Sequence, residues 1–177
     1  PGVILMGTRG SELSGLRSFG SITSEIIKKA DVPVIAVPKG YNAFEFRPPK
    51  RLLYASNFDK TDYSALRRLA SFVKPFNTKI YCIHASLDKF DSFDDIQMRK
   101  IKDFLFDTIE PHKFECGILN TYDLQQGIEN FIKEKEIDVM ALTTHKRGFF
   151  QQLFEPSLTT KFLFQTEIPL LVFHARP

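Results

Sequence analysis

Apolar runs of strand length alternate with helical patterns along residues 51–177. The predicted strands are 51–56, 79–85, 114–119, 139–143 and 169–174, and the predicted helices between them are 62–73, 94–109, 124–135 and 157–166. Parallel strands need a crossover between them, and a helix usually forms it. The alternation therefore predicts an α/β protein with a doubly wound, five-stranded parallel sheet. Its strands read as continuous apolar runs, so we expect both faces to be buried, with a core of Leu52, Leu53, Ile80, Ile83, Val139 and Leu142.

A set of spaced glycines follows the first apolar run of the chain, residues 3–7. Gly7, Gly10, Gly20 and Ser21 have the spacing G-x2-G-x9-G-S, and a helix is predicted to begin there. Glycine lets the backbone approach an anion closely, and the N–H groups at a helix start face it. The pattern predicts a phosphate-binding loop. The alternative is a glycine-rich turn that binds nothing, with Ser21 as a helix cap.

The strand, loop, helix and strand of residues 3–38 return further along the chain. Ser21 and Ser157 are 136 residues apart, and so are Pro33 and Pro169. A constant offset without a gap indicates an internal repeat, here two copies of one domain. We therefore expect residues 3–38 to correspond to 139–174.

The loop of the second copy lacks the glycines of the first. Thr143, Lys146 and Pro156 stand in their places, and only the hydroxyl of Ser157 remains. A side chain obstructs the close approach of the backbone to an anion, and proline also removes an N–H donor. The second copy is therefore not expected to bind a nucleotide through this loop.

Residues 3–40, VILMGTRGSELSGLRSFGSITSEIIKKADVPVIAVPKG, resemble the nucleotide loop of the universal stress protein family in its ATP-binding branch. That loop has a strand, G-T-R/H-G, nine residues, G-S, a helix and a P-V-[LI]-x-V strand. The resemblance extends over essentially the whole chain. It implies the strand order 3-2-1-4-5 of adenine-nucleotide hydrolase-like folds. It also implies ATP or a related adenine nucleotide at Gly7, Thr8, Arg9, Gly10, Gly20, Ser21 and Ile22.

The second copy departs from the family pattern at its first strand. Asn57 stands where the family has an aspartate at the adenosine, so a hydrogen-bonding side chain remains but its charge is lost. Each copy would then hold half of a family site, with the phosphate loop in the first and a weakened adenosine end in the second.

The repeat divides the chain into three parts. Residues 1–40 are expected to be the C-terminal β-α-β part of a first domain, 41–50 a linker, and 51–177 a complete second domain. Because the first copy begins at its fourth strand, we expect a piece of a longer tandem protein. The apolar fifth strands, Val34–Val37 and Leu170–Phe173, are expected to pair across a domain or chain boundary, since bare strand edges recruit partners. The family also implies a homo-oligomer formed through these strands.

Composition and charge exclude several classes of partner. The formal net charge is +3 and the charges are interspersed, so no basic stripe indicates nucleic acid. No apolar run reaches the length of a membrane span. Cys82 and Cys116 lie in predicted strands without C-x-x-C spacing, as expected of free, reduced thiols in a cytoplasmic protein. The cationic run 145–147 could hold an anion by charge, although a solvated loop is the simpler interpretation. The histidines and aspartates have no metal-site spacing.

These observations predict a stress-response regulatory protein that binds adenine nucleotide and self-associates. The alternative is a dimerisation or interaction scaffold that binds no nucleotide. A third possibility is an enzyme of the adenine-nucleotide hydrolase superfamily. No residue pattern supplies a general base, so at most slow ATP hydrolysis is expected.

Overall fold

The computed structural model describes residues 2–8, 21–38, 40–41, 47–58, 60–86, 92–144 and 167–174. The strands of this part are β1 (Ile4–Gly7), β2 (Val34–Val37), β3 (Arg51–Ala55), β4 (Lys79–Ser86), β5 (Phe114–Asn120), β6 (Val139–Thr144) and β7 (Leu170–His174). Its helices are α1 (Ser21–Lys29), α2 (Lys60–Val73), α3 (Ser92–Thr108) and α4 (Leu124–Glu134), with a 3-10 turn at Pro111–Lys113. The predicted helix 157–166 lies outside the described residues.

The described strands form one seven-stranded sheet in the order β1-β2-β7-β6-β3-β4-β5. Strands β7, β6, β3, β4 and β5 are parallel to one another. Their order, numbered along the second copy, is the predicted 3-2-1-4-5, so the α/β prediction is confirmed. The sheet has two strands more than the predicted five, because β1 and β2 join it through an antiparallel pairing of β2 with β7.

The strand pairs of the two predicted copies have the same register. Ile4 lies opposite Val34 in the pair β1–β2, and Met140 lies opposite Leu170 in the pair β6–β7. Both members of the second pair follow those of the first by 136 residues. The remaining paired positions of β1–β2 correspond to β6–β7 in the same way. The strands therefore agree with a repeat without insertion.

The antiparallel pairing of β2 with β7 is symmetric about its centre. Val34 lies opposite Val172, Ile35 opposite Leu171, and Ala36 opposite Leu170. With the offset of 136, Val172 corresponds to Ala36, Leu171 to Ile35, and Leu170 to Val34. The pairing is therefore the same when the two strands are exchanged, as in a self-complementary two-fold interface. The two predicted fifth strands pair with each other, within one chain.

Each face of the sheet carries a hydrophobic cluster. One cluster joins Ile27 of α1 and Val34 of β2 to Leu53, Ile128 and Leu142, so residues of both predicted copies share it. The other packs the opposite face against α2 and α3, with Leu66, Leu69, Ile101 and Leu105 among its members. Of the predicted core residues, all are buried except Val139, which is half-buried at the start of β6.

None of the described helices is both long and apolar enough to cross a membrane.

Candidate functional site

The two predicted half-sites lie at opposite edges of the sheet. Gly7 ends β1, whose direction is that of β2, whereas Asn57 follows β3, whose direction is that of β7. Because β2 and β7 are antiparallel, the carboxyl ends of β1 and β3 point to opposite edges. The two strands are also four strand spacings apart, about 19 Å across the sheet. One nucleotide cannot reach both half-sites within one chain.

The structure describes the first predicted half-site only at its two ends, residues 7–8 and 21–22. Gly7 is exposed, and a Cβ built on it would meet no atom of the described residues within 4 Å. The Thr8 amide donates to the carbonyl of Val37 at 2.8 Å, and the Thr8 hydroxyl donates to the same oxygen at 3.2 Å. Thr8 therefore joins the end of β1 to β2, and its N–H is already engaged.

Of the other predicted loop residues, the structure describes only the backbone of Ser21 and Ile22. Ser21 begins α1 and Ile22 follows it, so their backbone N–H groups belong to a helix start and have no partner within the helix. Arg9, Gly10 and Gly20 lie outside the described residues. The glycine loop between them remains a prediction.

The second half-site is a cleft of about 480 Å³, measured with its open mouth, at the carboxyl ends of β3, β4 and β5. Much of this volume is open to solvent, and the part enclosed by protein atoms is only about 50 Å³. Its wall is mostly apolar, with a few polar groups contributed by the turn after β3 and by β4 itself; the lining residues include Ala55, Ser56, Asn57, His84, Ile128 and Phe131. The cap of α4 fixes the apolar wall, because the Asp123 carboxylate accepts from the Gln126 amide at 3.0 Å.

The polar side of the cleft is built by Asn57, Ser56 and His84. Asn57 is exposed, so its amide can both donate and accept hydrogen bonds with a ligand. His84 Nδ1 lies 2.9 Å from the Ser56 carbonyl oxygen. A carbonyl can only accept, so Nδ1 carries the proton of this bond, and Nε2 of the neutral ring is an acceptor. The cleft thus offers a flat apolar surface with a few polar groups at one end.

A buried network of hydrogen bonds lies beneath this turn. Tyr54 Oη donates to Asp62 Oδ1 at 2.6 Å, and Ser56 Oγ donates to Asp62 Oδ2 at 2.7 Å. The backbone N–H of Asn57 donates to the same Oδ2 at 3.1 Å. Because the single proton of Tyr54 goes to Asp62, the Thr143 hydroxyl, 2.7 Å away, donates to Tyr54 Oη.

The network keeps Tyr54 protonated. Burial raises the pKa of Tyr54 well above its usual value, and the nearby Asp62 carboxylate raises it further. Asp62 is only 2% exposed and lies in the first turn of α2, where the helix start favours a negative charge. The turn that carries Asn57 is thus held from below by a buried carboxylate.

The turn also contains a residue in a left-handed conformation. Phe58 has φ of +56° although it is not glycine, and it is buried. Its amide donates to Ser56 Oγ at 2.9 Å, and its ring lies 5.0 Å from that of His84. Such backbone strain persists only where the surroundings fix it, and it is frequent at binding sites.

From its place at the start of the predicted helix 62–73, Asp62 is expected to cap that helix, but the structure does not place it at the cap position. The helix begins two residues earlier, at Lys60, and Asp62 turns back to the residues after β3. Nothing in the apolar pattern singles out Tyr54 as the partner of Asp62 or Thr143 as the partner of Tyr54, and the second contact depends on the pairing of β3 with β6. A tyrosine within an apolar strand was the only available signal.

Thr143 fills the position of the first glycine in the second copy. It is 4% exposed, and its hydroxyl takes part in the buried network. Lys146, Pro156 and the cationic run 145–147 lie outside the described residues. Among the described residues, no group of three or more His, Cys, Asp or Glu side chains could hold a metal ion.

No protein-family model matches the sequence, and the comparison with curated proteins found no match. Solved structures do match. A universal stress protein from Archaeoglobus fulgidus DSM 4304 aligns with 98% of this chain at a TM-score of 0.70 and 19% identity. This chain spans 60% of the length of that protein. The alignment shows that the chain has the fold of the universal stress proteins.

Two further similar structures contain nucleotides. A universal stress protein in complex with cAMP matches 73% of this chain over its own full length, with a TM-score of 0.57 and 11% identity. The universal stress protein from Archaeoglobus fulgidus in complex with dAMP matches 72% of this chain and 97% of its own, with a TM-score of 0.50 and 12% identity.

Proposed function

We propose that this chain is a universal stress-type protein of the cytoplasm, with a regulatory role in the stress response exerted through adenine-nucleotide binding and self-association. The observation that carries the proposal is the structural alignment over 98% of the chain. It takes in both the five parallel strands and the additional pair β1–β2. Solved proteins of this fold bind cAMP and dAMP, which supports the adenine class of ligand. The proposal includes no catalytic role.

The proposed organisation is tandem. Residues 1–40 form the C-terminal β-α-β part of one domain, residues 41–50 a linker, and residues 51–177 a second domain. Two observations support it, namely the common register of β1–β2 and β6–β7 and the symmetric pairing of β2 with β7. Both are expected of two copies of one unit related by a two-fold rotation.

The proposed nucleotide site is the loop of the first copy, formed by Gly7, Thr8, Arg9, Gly10, Gly20, Ser21 and Ile22. The open space at Gly7 and the N-terminus of α1 at Ser21 support it, because phosphate binds where N–H groups are free and the backbone is accessible. Thr8 acts by joining β1 to β2, since its N–H and hydroxyl already donate to Val37.

The second copy lacks such a loop because Thr143 occupies the glycine position, yet it keeps the cleft beside Asn57. Since the two half-sites face opposite edges, phosphate contacts at one and adenine contacts at the other cannot add for one ligand. We therefore expect this 177-residue chain to bind ATP weakly, with a Kd of about 1 mM or higher.

A titration of the 15N-labelled chain with ATP, followed by NMR, tests the position of the site. We expect amide shifts at Gly7 and at the first residues of α1. Gly7→Val should abolish them, because its side chain fills the open space while meeting no protein atom at Cβ. The matched variant Asn57→Ala, in the cleft, should leave them unchanged. Amide shifts confined to Asn57 and His84, lost in Asn57→Ala and retained in Gly7→Val, would show that ATP binds in the cleft of the second copy, against the proposal.

An interaction scaffold that binds no nucleotide is the second candidate, and the strand edges favour it. Both edges of β2 and of β7 are paired within the chain, so the fifth strands are already joined internally. Among the described strands, β1 ends the sheet, and Leu5 in β1 and Val3 just before it are exposed. Analytical ultracentrifugation of the wild type and of Leu5→Lys tests this candidate. A nucleotide-free preparation whose self-association is lost in Leu5→Lys would favour the scaffold.

A further inference from the structure

We propose that Cys82 and Cys116 form a redox-active thiol pair that hydroperoxide converts into a disulfide between two neighbouring strands. The two residues lie directly opposite each other in the parallel pairing of β4 with β5. Both contact the hydrophobic cluster on the α2 and α3 face, so their side chains lie on the same side of the sheet. Both are free thiols in this structure.

The strand pairing brings the two cysteines within disulfide reach. Neighbouring strands are about 4.8 Å apart, within the Cα separations of about 4.4–6.8 Å that disulfides span. The two thiols are also close enough for each to shift the pKa of the other. The bond can therefore form without separating β4 from β5. A bridge between directly opposed strands is also constrained in geometry, and constrained disulfides are the more easily reduced ones.

The two thiols differ in access, which sets the order of reaction. Cys82 is fully buried in the inner strand β4. Cys116 is only partly buried, and β5 ends the sheet among the described strands. The hydrogen bond with Cys82 lowers the pKa of Cys116, and the charge of Lys102 lowers it further. The same bond raises the pKa of Cys82, as does its burial. Cys116 is therefore the thiol that an oxidant meets first, and as the better thiolate.

The proposed reaction has two steps. The Cys116 thiolate attacks one oxygen of hydrogen peroxide, the O–O bond breaks, and the departing hydroxide takes up a proton to become water. Cys116 is then a sulfenic acid. The Cys82 sulfur attacks the Cys116 sulfur, the S–O bond breaks, and the released hydroxide leaves as water with the Cys82 proton. Two thiols are oxidised by two electrons to one disulfide, and one peroxide is reduced to two waters.

Peptide mapping of the intact chain tests the proposal. Reduced protein is exposed to hydrogen peroxide, the remaining thiols are alkylated, and the protein is digested with trypsin without reduction. Cleavage after Lys79 and after Lys113 separates the two cysteines, so a disulfide joins the peptides 80–89 and 114–133. We expect this linked pair in the monomer, lighter than the two free peptides by two hydrogen atoms, and its disappearance after reduction with dithiothreitol.

Two variants establish the order of the steps. Cys82→Ser should accumulate a sulfenic acid at Cys116 that dimedone traps, because the second thiol is missing. Cys116→Ser should leave Cys82 unreactive, because the remaining thiol is buried. Wild-type protein that keeps both thiols free while its methionines oxidise would overturn the proposal. Equal dimedone labelling of the two variants would overturn the assigned order.

Discussion

The pairs β1–β2 and β6–β7 have the same register but very different surroundings. Leu5 in β1 is 68% exposed, whereas its counterpart in β6, Ala141, is fully buried. Strand β6 lies between β7 and β3, and α2 packs on that face, whereas β1 ends the sheet of described strands. The same strand pattern thus gives a core strand in one place and an open edge in the other. Neighbouring strands and helices, and not the strand's own sequence, determine burial.

The two pairs also differ at the residue that ends their first strand. Gly7 leaves open space, whereas Thr143 closes a buried network with Tyr54 and Asp62. A strand pair needs only apolar side chains and a common register, so it tolerates such an exchange. A phosphate loop needs a bare backbone at this position, so it does not. The strand pairs therefore keep one register in both proposed copies, while Thr143 belongs to a buried network at the position that corresponds to the exposed Gly7.

The largest expected difference is between the core positions of the two copies. Leu142 is 1% exposed, and Leu142→Ala should lower the free energy of unfolding by about 2–5 kcal/mol. The counterpart Met6 is half-buried in β1, and Met6→Ala should cost about 1 kcal/mol. Urea unfolding of both variants measures the difference. Equal losses would mean that β1 is covered as fully as β6.

The buried network of the second copy should be the next most sensitive feature. Tyr54→Phe leaves Asp62 and Thr143 without their common partner, at a cost of about 1–3 kcal/mol in the free energy of unfolding. Tyr122 is fully exposed, so Tyr122→Phe is the matched control and should change stability by less than about 0.5 kcal/mol. If both variants unfold at the same urea concentration as the wild type, the network contributes no stability.

The raised pKa of Tyr54 predicts a loss of stability in alkali. Above pH 10, the ordinary value for tyrosine, the unfolded chain releases this proton while the folded chain keeps it. The free energy of unfolding therefore falls as pH rises, by up to about 1.4 kcal/mol per pH unit. The difference between wild type and Tyr54→Phe isolates this effect from the other tyrosines. A difference that stays constant from pH 9 to pH 11 (about one unit to either side of that value) would contradict it.

The sheet could be predicted from sequence because it depends on local patterns and on a constant offset. Continuous apolar runs located every described strand, and the constant offset predicted that the two strand pairs correspond without an insertion. The bare apolar edge of Val34–Val37 predicted that this strand pairs with another, but not that its partner is the other fifth strand. The sequence did not predict that the two half-sites face opposite directions. Gly7 and Asn57 do so because of the antiparallel pairing of β2 with β7, which joins strands far apart in the chain. The contact of Tyr54 with Thr143 was missed for the same reason, since it depends on the pairing of β3 with β6.

The smallest expected effect is at Gly7 itself. Gly7→Ala adds a Cβ that meets no atom within 4 Å, so the free energy of unfolding should change by less than about 0.5 kcal/mol. Gly127 in α4 provides the contrast, because its added Cβ would lie 2.8 Å from the Thr121 side chain, too close without a shift of the Thr121 turn. Gly127→Ala should therefore destabilise the protein although alanine favours helices. Thermal unfolding of the two variants measures both effects. A Gly7→Ala variant as destabilised as Gly127→Ala would show that protein atoms, and not an open approach for a ligand, surround the end of β1.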